Sequence, residues 1–289
     1  MSHLICFLNN RFVPMAEASV PLNDLGLHRG YGIFDFLRVT DNVPLFWDDH
    51  LNRFYRSANL MRLTPSQSRE DIKLIITQLI EKNALPHSGI KLLLTGGASP
   101  DGYQIGEPNL MIFQQAILRP PETIFLPGFR LVTYPHQRQL PEVKTTDYIM
   151  AVLLQPWIKE NEADDMLYHQ NGVVSECPRS NFFIVTQNDT LVTPDKNILH
   201  GITRKQLLAI AFNIGIAVEE RDVLLQDIRQ AKEAFITSST KRLIPVTQID
   251  DHSFPVFSKN SVTERLYNAF KERELATVHE YKYGTGSFH

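Results

Sequence analysis

Proline removes a backbone donor and breaks helix interiors, so the stretch richest in it, Arg119-Pro120-Pro121 through Pro127-Gly128, divides this chain in two. At 289 residues the chain exceeds the usual single-domain range and can bury two cores. The reading is an N-terminal α/β domain over residues 1–119, an interdomain linker over 120–128 and a larger C-terminal domain over 129–289.

In the first part, strand-like segments run from Leu4 to Asn9, Gly32 to Thr40 and Val43 to Phe46, with Asp41-Asn42 as the turn between the last two. Asp48 is a plausible N-cap for a helix from Asp49 to about Met61, with Leu51, Phe54, Tyr55 and Ala58 on its apolar face and His50, Arg53 and Arg56 on the other. A second helix is expected over Ser68 to Asn83, and strands over Ile90 to Thr95 and Asn109 to Ile117 flank the glycine-rich Gly96 to Gly106. In the second part the expectations are a strand at Phe129 to Tyr134, a helix at about Thr146 to Glu160, and hairpins over Met166 to Thr193 turning at Asn171-Gly172 and Asn188-Asp189. A helix from Thr203 to Ile214, capped by Thr203 and stopped by Gly215, a strand at Glu233 to Thr237 and a closing helix from Ser258 to Glu274 complete the chain.

Composition narrows the function classes. With 43% hydrophobic and 21% charged residues the chain is neither disordered nor fibrous. A formal charge of −3 without a basic run argues against nucleic acid and anionic membrane as partners, and points to a small molecule. No stretch of 18 apolar residues and no charged, apolar leader is present, which suggests a cytoplasmic protein. Cys6 and Cys177 are too few for a disulfide framework, fit no zinc spacing and are expected to be buried thiols; no metal site is expected.

The sequence lacks a nucleophile elbow, a zinc-protease helix, a Walker A loop and a dinucleotide-binding glycine motif. What remains is modest. Gly201-Ile202-Thr203-Arg204 precedes a helix, where free N–H groups and the helix dipole favour an anion. Ser238-Ser239-Thr240 is a polar turn that could offer hydroxyls to phosphate, Lys144 stands just before a predicted helix, and Glu176, on an apolar strand, needs a partner if buried. Each alone has an ordinary explanation as a helix start, a turn, a surface lysine or a strand-edge carboxylate.

Taken in order, six blocks resemble the class IV, or fold type IV, pyridoxal-phosphate enzymes: branched-chain aminotransferases, D-amino-acid aminotransferases and aminodeoxychorismate lyases. They are His28 to Arg38, His50-Leu51-Asn52-Arg53, Val143 to Tyr148, Val174 to Cys177 with Asn181-Phe182-Phe183, Gly201 to Arg204, and Ile236 to Thr240 with Pro245-Val246. The resemblance runs nearly end to end. It implies a two-domain α/β fold, with a smaller N-terminal domain and a larger C-terminal pseudo-barrel, and pyridoxal 5'-phosphate as cofactor. It also implies a homodimer and a ping-pong transamination between an amino acid and a 2-oxo acid.

Residue by residue, the resemblance implies that Lys144 holds the cofactor as a Schiff base and later acts as general base, and that Glu176 faces the pyridine nitrogen. Arg53, the amides of Ile202 and Thr203, and Ser239 would hold the phosphate, while Thr240 would offer its amide to phosphate or to substrate carboxylate. Tyr148 would lie near the cofactor's 3′-oxygen, or else be a core aromatic. Tyr31 and Arg38 would line the substrate side, as would Tyr103, although Arg38 could equally be a strand residue paired with Asp35.

Among the subfamilies, D-amino-acid aminotransferases carry an Arg-x-His carboxylate trap where this chain has Ser99-Pro100-Asp101-Gly102-Tyr103. Gly102-Tyr103 and Glu176-Cys177 resemble the lyases, and Ser238-Ser239-Thr240 resembles the aminotransferases; Asp35 and Asp147 stand where branched-chain enzymes usually have Glu and Asn. The preferred reading is an L-amino-acid, branched-chain-like aminotransferase. Its alternatives are a lyase, then a D-amino-acid aminotransferase, then a protein that binds the cofactor or an anion without turnover.

Overall fold

Alternating and near-continuous apolar segments in the first part of the chain pair into a sheet, and the computed structural model describes residues 4–118, 128–255 and 260–284. The linker expected at 120–128 lies, apart from Gly128, outside the described residues. By its contacts the chain divides into two units: Met1–Arg119 with Val143–Asp147 and Ala276–His289, and Pro120–Glu142 with Tyr148–Leu275. The segment carrying Lys144 thus belongs with the first unit, although it lies inside the 129–289 stretch in sequence.

The first unit contains β1 (Ile5–Leu8), β2 (Arg11–Pro14), α1 (Leu25–Arg29), β3 (Gly32–Thr40), β4 (Val43–Pro44), α2 (Trp47–Leu60), α3 (Arg69–Asn83), β5 (His87–Thr95) and β6 (Asn109–Ala116). Its six strands form one antiparallel sheet in the order β2-β1-β6-β5-β3-β4. β3 covers the expected residues, and Asp41 and Asn42 both take the left-handed backbone that a tight hairpin requires. Ile33, Leu37 and Val39 of β3 are buried with Leu51, Phe54 and Ala58 of α2 and Ile72, Ile76 and Leu79 of α3. Ser68 caps α3 through a reciprocal bond with Asp71. α2 differs from expectation: it begins at Trp47 behind Phe46, which is left-handed and offers no side-chain cap, so Asp48 sits inside the first turn.

The second unit contains β7 (Phe129–Pro135), α4 (Ile149–Leu153), α5 (Gln155–Glu160), β8 (Asp165–Gln170), β9 (Val173–Val174), β10 (Glu176–Cys177), β11 (Ser180–Val185), β12 (Leu191–Thr193), α6 (Ile202–Asn213), β13 (Val218–Glu220), β14 (Val223–Leu224), α7 (Leu225–Gln230), β15 (Glu233–Ser238), β16 (Arg242–Ile249) and β17 (His252–Ser253). Its mixed sheet runs β13-β12-β11-β15-β16-β7-β8-β9-β14, with β10 on β11 and β17 on β16. One face, with Phe182, Ile184, Ala234 and Ile236, is core. On the other, Phe183 and Phe235 stack at 4.9 Å.

The single helix expected over 146–160 is two short ones. Thr146 donates its N–H to Gly32 at 2.9 Å, which keeps the chain extended, and Pro156, tolerated only in a first turn, starts α5 afresh. The closing helix α8 (Val262–Tyr283) runs further than expected, and its predicted start at Ser258 lies outside the described residues. Among the described residues no helix is long and apolar enough to cross a membrane.

Candidate active site

Lys144 does not lead a helix. Its carbonyl accepts the N–H of Phe34 at 2.9 Å, and Thr145 bridges Ile33 in antiparallel fashion, so the lysine sits on a short strand laid along the start of β3. Val143 enters the core, and the half-buried Lys144 extends its Nζ over the Phe34 ring, 4.5 Å from the centroid. Backbone pairing on a rigid sheet fixes the base of this side chain.

Asp35 occupies the core face of β3 and is wholly buried. An ionised carboxylate there must be paired. Its Oδ2 accepts from Arg53 Nε at 2.8 Å, and its Oδ1 from Arg53 Nη2 at 2.8 Å, from the Phe36 N–H at 2.8 Å and from His50 Nδ1 at 2.7 Å. Burial would raise its pKa, but the Arg53 charge and the hydrogen bonds prevail and hold it well below the carboxylate range. His50 is pushed down, first by burial, against Asp35 and with Arg53 and Lys144, so it is neutral at pH 7 with its proton on Nδ1. His50 and Arg53, expected on the face of α2 opposite its apolar residues, thus turn inward to Asp35, and the partner of Asp35 is Arg53 rather than Arg38.

Tyr31, immediately before β3, donates its hydroxyl to the Met61 carbonyl at 2.6 Å. Arg38 is buried toward the far end of β3, and with about 3.3 Å per residue it stands about 23 Å along the chain from Tyr31. Tyr31, not Arg38, neighbours the lysine segment. Tyr103 is 86% exposed on a turn in which Asp101 Oδ1 accepts the N–H groups of Tyr103 and Gln104 at 2.9 and 2.8 Å. Those amides hold the Asp101 carboxyl below its ordinary value, so the turn carries a negative charge.

In the second unit Glu176 is 5% exposed and its partner is Arg138, which the sequence reading did not single out. Arg138 Nε and Nη2 donate to Oε1 at 2.9 and 2.8 Å, and the Leu199 N–H donates to Oε2 at 3.0 Å. Asn181, opposite Glu176 in the sheet, donates to Oε2 at 3.4 Å and to the Leu199 carbonyl at 2.7 Å. The carboxylate is fixed in place by these donors. Only the burial requirement on Glu176 was readable in advance; nothing local to Arg138 marks it.

The N-terminus of α6 is set by Gly201, which has no side-chain cap, so Thr203 does not cap it as expected; Ile202 and Thr203 are buried in the first turn. A Cβ on Gly201 would lie 2.0 Å from Asn181 Oδ1, so the approach of the turn to that amide requires glycine. Ser239 is half-buried and Thr240 exposed in the turn from β15 to β16, where the Ser238 and Thr240 hydroxyls are 3.3 Å apart. Tyr148, half-buried, occupies the N-cap position of α4.

The amino-transferase class IV profile matches residues 32–249. The chain belongs to the class IV aminotransferases. It is 28% identical over 286 residues to a D-alanine aminotransferase of Listeria monocytogenes, covering 96% of this chain and 98% of the relative. It is 31% identical over 279 residues to a protein of Methanocaldococcus jannaschii provisionally named a branched-chain-amino-acid aminotransferase, covering 92% and 95%. Its fold matches the branched-chain amino acid aminotransferase of Escherichia coli at a TM-score of 0.86 and 22% identity, covering 94% of this chain and 95% of that one. The fold is that of the type IV aminotransferases, and the chain is an enzyme of a pyridoxal-phosphate-dependent transaminase family. Residues of this chain fit such a cofactor: α6 offers a buried, uncapped turn to an anion, and Glu176 is a fixed carboxylate suited to a ring N–H.

Proposed function

We propose that this class IV aminotransferase binds pyridoxal 5'-phosphate and moves an amino group from an L-amino acid with a branched, apolar side chain to a 2-oxo acid. The observation that carries the cofactor reading is Glu176, a buried carboxylate fixed by Arg138, Asn181 and the Leu199 amide. When bound, the cofactor supplies a carbonyl that condenses with amines and a ring that accepts electrons. Lys144 would hold it through Nζ and would move the substrate Cα proton as general base. Glu176 would face the ring nitrogen and would hold a proton there by opposing its charge. The amides of Ile202 and Thr203, with Ser239 and Arg53, bind the phosphate. The first product leaves before the second substrate binds.

Asp101 supports the choice of substrate. Its carboxylate is ionised in the turn where the D-amino-acid enzymes carry a cationic trap, and it would repel a substrate carboxylate. The likeness to the Listeria D-alanine aminotransferase favours the D-amino acid as second reading. Adding single L- and D-amino acids to the cofactor-loaded protein separates the two: L-valine, L-leucine or L-isoleucine is expected to bleach the visible cofactor band. Bleaching by D-alanine alone would reverse the assignment. Lys144→Ala is expected to abolish turnover, whereas a binding protein without turnover would keep its ligand affinity and show no activity in either form.

A further inference from the structure

Thr237 is next to last in β15, 2% exposed, and its Oγ1 has no hydrogen-bond partner among the described residues. Buried hydroxyls in folded proteins are nearly always satisfied, so an orphan of this kind calls for a partner such as a ligand atom or an ordered water.

Its direction follows from sheet register. Thr237 lies directly opposite Asn181, and Asn181 directly opposite Glu176, so the three side chains form one cross-strand row on one face. The stacked rings of Phe183 and Phe235, two residues along in the same register, show that paired residues share this face. The face is the one that looks onto the start of α6: Asn181 Nδ2 bonds the Leu199 carbonyl, and its Oδ1 would be met by a Cβ at Gly201. The 12-residue helix beyond has no side-chain cap on its buried first turn. One end of the row is thus a carboxylate, and the other an unused hydroxyl on the face of an unused helix N-terminus.

We infer that the Thr237 hydroxyl is a ligand for the anion seated at the N-terminus of α6, and that it helps the protein to distinguish a phosphorylated cofactor from its dephosphorylated form. The inference rests on the cofactor reading above. A hydroxyl donating to a phosphate oxygen forms a charge-assisted bond, and the β-branched side chain, stiff at χ1 and packed on the sheet, holds that donor in one orientation. Thr237 thereby adds a side-chain donor to the backbone amides of the helix.

The test compares wild type, Thr237→Val and Thr237→Ser, each stripped of cofactor and titrated with pyridoxal 5'-phosphate, with pyridoxal and with inorganic phosphate, alongside the thermal midpoint of the stripped protein. Valine has the shape of threonine without the hydroxyl. Thr237→Val is expected to weaken pyridoxal 5'-phosphate and inorganic phosphate by about tenfold or more, to leave pyridoxal within about twofold, and to keep or raise the thermal midpoint, because an unsatisfied hydroxyl is removed. Thr237→Ser is expected to restore most of the preference. An unchanged ratio of phosphorylated to dephosphorylated affinity in Thr237→Val would overturn the inference, and a lowered midpoint with that same ratio would assign the residue to packing. Wild type that binds neither pyridoxal 5'-phosphate nor phosphate would overturn the cofactor reading itself.

Discussion

Asp35 stands where β3 otherwise turns Ile33, Leu37 and Val39 into the core, and this one carboxylate recruits His50 and Arg53 from α2. Removing the charge strands a largely buried guanidinium, so Asp35→Asn is expected to cost about 3–5 kcal/mol of stability, measured by denaturant unfolding. The pH dependence has a definite sign. The Asp35 pKa is depressed in the fold, so its contribution is full above the unfolded value of about 3.9 and is lost as the pH falls toward the folded value. His50, a base with a depressed pKa, also leaves the unfolded chain with more protons, and its contribution is full above about 6.5 and lost as the pH falls below that. Stability is therefore expected to decline from about pH 6.5 downward, and His50→Gln to flatten the upper part of that decline while leaving the part below about pH 4. Equal slopes in wild type and His50→Gln between about pH 5 and 6.5 would contradict this placement of the imidazole. The sequence shows that a buried Glu176 would need a partner, but not that the partner is Arg138, 38 positions earlier, because that pairing is made by the sheet and not by local spacing.

Elements whose limits are set by local chemistry were legible in the sequence. β3 and α3 follow from apolar patterning, the Asp41-Asn42 turn and the Ser68 cap. The helix expected over 146–160 was misread because hydrogen bonds to Gly30 and Gly32, 116 and 114 residues away, hold Thr146 extended. The start of α6 was half legible: Gly201 and the anion-binding turn were visible, whereas the reason for glycine, the Asn181 amide at its side, appears only once β11 is placed. Gly201→Ala must displace an amide already bonded to Leu199, so it is expected to destabilise by about 1–3 kcal/mol and to weaken phosphate binding, read from unfolding curves and a pyridoxal 5'-phosphate titration. Undiminished affinity in that variant would argue against α6 as the anion site.

At the scale of the whole molecule, family and fold were legible because six short motifs keep their order, and the class IV match over residues 32–249 spans most of them. Composition and periodicity alone stop at a two-part α/β chain. The assignment of Lys144 to the first unit was not legible, since a segment paired to a strand so far back in the chain leaves no local mark. Lys144 is the residue proposed to carry the cofactor. Lys241 and Lys91 are competitors, because burial pushes both amines below the ordinary lysine value. The direct measurement is borohydride reduction of the cofactor-loaded protein, followed by digestion and mass mapping of the pyridoxyl group. The added mass is expected on the peptide containing Lys144 and is expected to be lost in Lys144→Ala; the added mass on Lys241 or Lys91, or on no lysine, would contradict the role proposed for Lys144.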